Sequence, residues 1–157
     1  MIVGTDHISF TVSDIERSRD FYRQLLQQEP LDVGHDEADV AAQVIGYDRV
    51  SINYAYFALP GTSSVLELFE YEYPEGTDQA SGNCDVGNGH LGLVSDDLSR
   101  EFERLSVLGG EFVRDQPVQI DEGPWAGSKA IYMRDPDGIT IELLEAPPPA
   151  AARFGPH

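Results

Sequence analysis

The chain contains one sequence pattern twice, and this internal repeat constrains its fold more than any other feature. The stretch "DHISFTVSDIERSRDFYRQLL", which begins at Asp6, is echoed by "GHLGLVSDDLSREFERLSVLG", which begins at Gly89. The echo places His7 against His90. Self-similarity of this kind indicates two copies of one supersecondary unit.

A second echo lies near the end of each copy. "LELFE" (66–70) matches "IELLE" (141–145), which places Glu67 against Glu142. Upstream of these motifs, Phe57 matches Tyr132 at the same spacing. Each half therefore runs from a strand that opens with His to a strand with Glu at its centre.

The local patterns predict the same elements in both halves. Residues 7–12 alternate between apolar and polar side chains, as in a half-buried strand. Ser13 followed by Glu16 predicts a capping box that starts a helix, and Asp96 or Asp97 starts its counterpart. Three strand-like segments follow each helix, near 43–46, 51–58 and 64–70, and near 111–114, 128–134 and 139–145. The chain is thus predicted to be an α+β protein of two tandem βαβββ modules.

The chain length favours one domain built from both modules. Module one covers about 5–72 and module two about 89–146, so that the domain spans 1–146. Residues 73–88 are rich in Gly, Asn and Asp and are predicted to link the modules. The Pro- and Ala-rich residues 147–157 are predicted to form a surface tail.

Composition narrows the range of partners and locations. The 28 acidic and 10 basic residues give a formal charge of −18, which disfavours nucleic acid and anionic membrane surfaces. The single cysteine, Cys84, excludes an intrachain disulfide and fits a reducing compartment. No apolar run of transmembrane length and no signal peptide is evident, so we expect a cytoplasmic protein.

The negative charges of the two strand glutamates, Glu67 and Glu142, require compensation. Glu142 projects with Thr140 and Leu144, and Glu67 is similarly flanked by apolar neighbours. Burying an unpaired carboxylate costs several kcal/mol, so an Arg partner, a proton or a metal is expected. The candidate partners are Arg49, Arg114 and Arg134. Two His and two Glu at matching places also form a donor set that suits Zn²⁺, Ni²⁺, Co²⁺, Mn²⁺ or Fe²⁺.

The combined motifs resemble the vicinal oxygen chelate superfamily, which includes glyoxalase I, bleomycin-resistance proteins and extradiol dioxygenases. The resemblance rests on "DHISFTVSDIERSRDFY", "VLELFEY", "GNGHLGLVSDDL" and "YMRDPDGITIELLE" and covers about 6–146. It implies two βαβββ modules whose mixed sheets curl into a cup with the helices outside. It also implies one divalent metal ion held by His7, Glu67, His90 and Glu142.

By this resemblance the protein is expected to be an isomerase or lyase of the glyoxalase I type. The metal would polarise a small oxygenated substrate, while Glu142 or Glu67 carries the proton. Thr11 stands where glutathione-using relatives commonly have a basic residue, so a glutathione substrate is not supported. The aromatic residues that could line the mouth of the cup, or equally belong to the core, are Phe57, Phe69, Trp125 and Tyr132.

Two other functions remain open from the sequence. An Fe(II) extradiol-type dioxygenase would use two His and one carboxylate, and would need a further acid/base such as His35 or His157. A non-catalytic protein of the antibiotic-resistance type would use the cup as a binding pocket. By analogy with relatives we expect a homodimer, with the cup formed either within one chain or across the dimer.

Overall fold

The computed structural model describes residues 1–77, 82–145 and 147–149. The chain divides into two compact units, Met1–Gln79 and Ala80–His157, and each is described by itself. The middle of the predicted linker and most of the predicted tail, including His157, lie outside the described residues.

The first unit is a four-stranded mixed sheet with two helices. Strands β1 and β4 pair in parallel, whereas β4, β3 and β2 pair antiparallel, which gives the order β1-β4-β3-β2. The elements in chain order are β1 (His7–Thr11), α1 (Ile15–Leu26), β2 (Asp32–Asp36), α2 (Asp39–Ile45), β3 (Ser51–Ala58) and β4 (Val65–Tyr73).

The second strand of this unit lies earlier than the sequence predicts. Residues 43–46 were expected to form a strand, but they complete helix α2, and the strand is β2. The helix ends at Gly46, which adopts a left-handed φ of 89° and donates its amide to Ala42 O. Ala42 is buried against Ile52 and Val50. This tertiary packing outweighs the β propensity of the local Val and Ile residues.

The second unit repeats the arrangement with smaller strands at its edge. Strands β5 and β9 pair in parallel, the order is β5-β9-β8-β6, and β7 also pairs with β8. None of the helices in the described part of the chain is long and apolar enough to cross a membrane. The elements are β5 (His90–Ser95), α3 (Leu98–Val107), β6 (Glu111–Phe112), β7 (Val118–Gln119), a 3-10 helix (Gly123–Trp125), β8 (Lys129–Arg134) and β9 (Thr140–Glu145).

Each unit thus contains the predicted βαβββ order, and the α+β fold class is confirmed. In both units a helix packs on one face of the sheet and buries the apolar side chains that alternate along its strands. Tyr22 of α1 lies 6.5 Å from Phe57 between ring centroids, and both are fully buried. In the second unit Leu98 of α3 and Ile141 of β9 are likewise fully buried.

A second glutamate on each last strand ties the sheet to its helix. Glu70 Oε2 accepts the amide of Ile15 at 3.4 Å, and Glu145 Oε2 accepts the amide of Leu98 at 2.7 Å. A carboxylate at a helix N-terminus satisfies a free amide and interacts favourably with the helix dipole. Lys129 lies 2.8 Å from Glu145 and, with the Leu98 amide, lowers the pKa of that carboxyl.

The residue that caps the N-terminus of α1 and of α3 is an aspartate. Asp14 Oδ1 accepts the Arg17 amide at 3.0 Å, and Asp97 Oδ1 accepts the Arg100 amide at 3.0 Å. The predicted capping box at Ser13 is wrong, because the Ser13 hydroxyl instead accepts from the Arg17 guanidinium at 2.8 Å. Glu16, the other residue of the predicted capping box, instead accepts a hydrogen bond from the Arg19 guanidinium, one turn along the helix.

Replacing either cap should destabilise the fold measurably. We expect Asp14→Ala and Asp97→Ala each to lower the free energy of unfolding by about 1 kcal/mol, because an amide of the first turn loses its acceptor. Urea denaturation of the purified variants measures this change. Ser13→Ala serves as the control, and a loss for Ser13→Ala that exceeds the loss for Asp14→Ala would contradict the assignment of the cap.

Candidate functional site

The first unit brings His7 and Glu67 together on adjacent parallel strands. Ser9 stands directly opposite Glu67 in the register, so His7 is its diagonal neighbour on the same face. His7 Nε2 lies 3.6 Å from Glu67 Oε2. The His7 side chain is 47% exposed, whereas that of Glu67 is 17% exposed. The imidazole is therefore open to solvent while the carboxylate is set into the sheet face.

The second unit reproduces this pair with His90 and Glu142. His90 Nε2 lies 3.2 Å from Glu142 Oε2, with side chains 43% and 21% exposed. Gly92 stands opposite Glu142, and a Cβ added there would lie 3.8 Å from the Glu142 carboxylate. The strand that opens with His and the strand with Glu at its centre are thus neighbours in each unit.

The charges around His7 orient its ring. Asp6 Oδ2 lies 3.0 Å from His7 Nδ1, and this hydrogen bond, followed by the Glu67 carboxylate, raises the pKa of His7. Burial raises the pKa of Glu67, and the nearby His7 opposes that shift. Because Nδ1–H is donated to Asp6, Nε2 is the nitrogen presented towards Glu67.

Two of the three arginine partners considered for the glutamates, Arg134 and Arg49, have other contacts. Arg134 Nη1 donates to Gly138 O and to the Thr140 hydroxyl. The Arg49 guanidinium lies over the Tyr73 ring, 3.9 Å from its centroid. Among the described residues, the basic group recorded beside each strand glutamate is the histidine of its own unit.

The chemistry of each pair fits a divalent transition metal. Imidazole nitrogen and carboxylate oxygen are the donors that such ions prefer. Metal–ligand bonds near 2.1 Å place two adjacent donors roughly 3.0 to 3.4 Å apart, and the two His–Glu separations lie close to this range. Over its described residues, neither unit by itself gathers three or more His, Cys, Asp or Glu side chains in a metal-binding group.

A tyrosine flanks the glutamate in each unit. Tyr56 of β3 stands opposite Glu67, and Tyr132 of β8 stands opposite Glu142. Burial and then the neighbouring glutamate raise the pKa of both phenols. The Tyr132 ring lies 5.3 Å from the His90 ring. Tyr132, a predicted pocket residue, therefore lies beside the His–Glu pair of its own unit.

Phe57 does not occupy the place that the repeat predicts for it. Phe57 stands opposite Leu66 on the helix-facing side of the sheet and is fully buried against α1. Tyr56 takes the position that corresponds to Tyr132. The reason is that the β3–β4 hairpin contains one residue more than the β8–β9 hairpin, so a constant spacing selects the wrong neighbour. Counting back from each glutamate across its own hairpin turn would have found Tyr56.

The other two predicted pocket aromatics lie in different settings. Phe69 shares the sheet face of Glu67, is partly buried, and lies 6.1 Å from the Tyr56 ring in an edge-to-face arrangement. Trp125 is half-buried in the 3-10 helix, where its carbonyl accepts the Ser128 amide at 3.1 Å.

His35 lies on the opposite side of its sheet from Glu67. Along β2, Asp32, Gly34 and Asp36 share the Glu67 face, which leaves His35 on the other face. His35 Nδ1 lies 2.9 Å from Asn53 Oδ1, and its Nε2 lies 3.3 Å from Glu37. Within the first unit His35 is therefore not placed to serve as an acid or base beside His7 and Glu67.

Most of the sequence matches one known family. The family model described as the Glyoxalase/Bleomycin resistance protein/Dioxygenase superfamily matches residues 4–143. Among solved structures, a glyoxalase family protein from Bacillus cereus superposes with a TM-score of 0.79 at 20% identity, covering 92% of this chain and 95% of that chain. At this identity the structural likeness shows the fold alone.

Curated relatives include enzymes of two kinds. A 2-epi-5-epi-valiolone epimerase from an Actinomyces species is 29% identical over 147 residues, covering 92% of this chain and 80% of the relative. The lactoylglutathione lyase of Salmonella typhimurium is 28% identical over 145 residues, covering 89% of this chain and 90% of the relative. The chain spans only 44% of the length of the lactoylglutathione lyase from Arabidopsis thaliana that it matches at 25% identity.

The cluster around His35 predicts a titration independent of the His–Glu pairs. The Asn53 hydrogen bond and then Glu37 raise the pKa of His35 above its ordinary value of 6.5. The contacts of protonated His35 stabilise the folded state. This contribution is complete below pH 6.5 and is lost as the pH rises through the raised pKa of His35. NMR titration of the imidazole measures this, and Asn53→Ala should lower the pKa. A pKa at or below 6.5 in the parent protein would contradict the prediction.

Proposed function

The chain belongs to the Glyoxalase/Bleomycin resistance protein/Dioxygenase superfamily, and we propose that it is a divalent-metal-dependent isomerase, epimerase or lyase. In this proposal the protein transfers a proton to or from a carbon atom of a small substrate, and that carbon lies next to a carbon that bears oxygen. The observation that carries the proposal is the recurrence of one His–Glu pair at the same place in both units. A single pair could be a local ion pair, but two matched pairs are the four donors that the proposal requires.

The metal donors in the proposal are His7, Glu67, His90 and Glu142. When bound, a divalent ion supplies Lewis-acid stabilisation of negative charge that develops on substrate oxygen. The Asp6 carboxylate supports this role, since a carboxylate on the far nitrogen of a ligating imidazole orients the ring and raises its basicity. The ion is Zn²⁺, Ni²⁺, Co²⁺, Mn²⁺ or Fe²⁺ by the chemistry of the donors.

A strand glutamate is proposed as the group that carries the proton. Both Glu67 and Glu142 are set into a sheet face beside a tyrosine and a histidine. Desolvation disfavours the charge of a carboxylate and so makes it a stronger base than a carboxylate in water. Burial raises the pKa of Glu67 in this sense.

The substrate is proposed to be uncharged. The four strands of the first unit contain no lysine or arginine, and Thr11 stands where a cation would hold a glutathione carboxylate. The net charge of −18 also opposes an anionic ligand. The 29% identical relative named 2-epi-5-epi-valiolone epimerase is therefore a better guide to the substrate than the glutathione-dependent lyases.

Metal content tests the donor set. We expect about one equivalent of a divalent ion per chain in untagged protein, and at least a roughly hundredfold loss of affinity in Glu67→Ala and Glu142→Ala. Elemental analysis and competition with a chelator measure both quantities. Glu72→Gln is the matched control, because Glu72 lies on the same strand as Glu67 but on its other face. Less than about a tenth of an equivalent in the parent protein would contradict the proposal.

Proton exchange tests the reaction. We expect the metal-loaded protein to exchange the α-protons of dihydroxyacetone and of 2-keto-myo-inositol with deuterated solvent, as followed by proton NMR. Glu67→Gln or Glu142→Gln should lower the exchange rate by about 10²–10⁴ at equal metal content, and the larger loss identifies the base.

One outcome of the exchange experiment would replace the proposal. Consumption of oxygen with a catechol, without exchange of either ketone, would assign the protein to the ring-cleaving dioxygenases instead.

We also propose that the protein is a homodimer. Analytical sedimentation of the same sample measures its oligomeric state.

A further inference from the structure

The sheet face that carries Glu67 also carries a set of stacked aromatic rings. We propose that Tyr56, supported by Tyr54 and Phe69, is the surface on which a cyclic, uncharged polyhydroxy ketone stacks. This inference rests on the proposed function, because it names the class of substrate for the same reaction. It concerns the first unit alone, in which all of these residues lie.

Tyr56 is held between two other rings. The Tyr54 ring stacks on it with centroids 4.8 Å apart and planes inclined by 17°. Phe69 meets it edge-to-face at 6.1 Å. Offset stacking and edge-to-face contacts are the favoured arrangements of aromatic pairs, so Tyr56 is held in one orientation. An ordered ring can bind a ligand without a large cost in side-chain entropy.

The sequence makes room for this stack at Gly34. Gly34 stands opposite Tyr54, and a Cβ added at Gly34 would lie 2.6 Å from the Tyr54 hydroxyl oxygen. The phenol thus occupies space that any other residue at position 34 would fill. The Tyr54 hydroxyl then donates to Asp32 Oδ2 at 3.3 Å, which holds the far end of the ring. Gly34 and Asp32 are accordingly positioning residues for the stack.

The second face of Tyr56 is directed towards small side chains. Tyr54 covers one face of the ring, and the next residue of β3 on the same side of the sheet in the other direction is Ala58. Ala58 pairs with Val65, which in turn stands opposite His7. Tyr56, Glu67 and His7 therefore border one place on this sheet face, whose nearest residues along the register are Ala58 and Val65. A ligand stacked there would lie beside the His–Glu pair.

Carboxylates stand on both sides of Tyr56 in the sheet. Glu67 is opposite Tyr56 on β4, and Asp32 is opposite Tyr56 on β2. An ionised carboxylate only accepts hydrogen bonds, so the ligand has to offer donors. Hydroxyl groups on a ring provide such donors, while the C–H face of the same ring packs on an aromatic surface. An anionic ligand would meet these carboxylates unfavourably.

The corresponding place in the second unit has no such surface. Tyr132 is the counterpart of Tyr56, but the pair Tyr54–Phe69 is replaced by Ala130–Leu144. Its only recorded ring contact within the described residues is the His90 imidazole. The rings of the first unit are thus not required to hold a His–Glu pair, which separates them from the proposed metal donors.

Calorimetric titration of Zn²⁺-loaded full-length protein with 2-keto-myo-inositol tests the inference. We expect Tyr56→Leu to weaken binding about threefold to tenfold, and Gly34→Ala to weaken it in the same direction. Tyr56→Phe, which keeps the ring, should stay within about twofold of the parent. Tyr47→Leu is the control, because Tyr47 is an exposed tyrosine of the same unit outside the stack. Thermal unfolding confirms that each variant is folded.

The α-proton exchange of dihydroxyacetone separates failure of this inference from failure of the proposed function. If metal and exchange are present but 2-keto-myo-inositol does not bind, or Tyr56→Leu binds it unchanged, the inference is wrong and the function stands. Equal losses in Tyr56→Phe and Tyr56→Leu would also overturn it, because the hydroxyl would then be the binding group. Absence of both metal and exchange would overturn the proposed function itself.

Discussion

The parallel pairing of the first and last strand of each unit is the interaction on which the rest depends. It places the His that opens one strand diagonally across from the Glu at the centre of the other. A shift of the register by one residue would turn the glutamate to the helix-covered face and separate it from the histidine. Parallel neighbours require a long connection, and in each unit it runs through a helix, α1 or α3, and then through the antiparallel strands of the same sheet.

On each last strand, two glutamates divide two tasks between the faces of the sheet. Glu67 and Glu142 face the histidines, whereas Glu70 and Glu145, an odd number of residues later, face the helices and accept their first amides. This second contact resists the register shift that would destroy the first. The motif "LELFE" and its echo therefore encode both a chemical pair and the anchor that keeps the pair in place.

The repeat allowed the sequence to predict most of the strands, the helices that cover them and the four His and Glu residues that form the two pairs. Those predictions rest on period-two alternation and on a constant spacing between copies, which are strong signals. The displaced β2 and the helix α2 could not be predicted, because packing of Ala42 against the sheet decides them. Tyr56 was missed because one extra hairpin residue broke the constant spacing. A register depends on the turn, which alternation alone does not reveal.

The aromatic stack shows how the copies have diverged around a shared element. Both units keep the imidazole, the carboxylate and one tyrosine in the same register, so these groups belong to the repeated module. Only the first unit adds the rings of Tyr54 and Phe69, and it needs a glycine on the neighbouring strand to fit them. Any side chain at position 34 would collide with the Tyr54 ring, so the position of that ring explains the glycine. The groups that both units share therefore suit the proposed role of holding a metal ion. The rings that only the first unit carries suit the proposed recognition of a substrate.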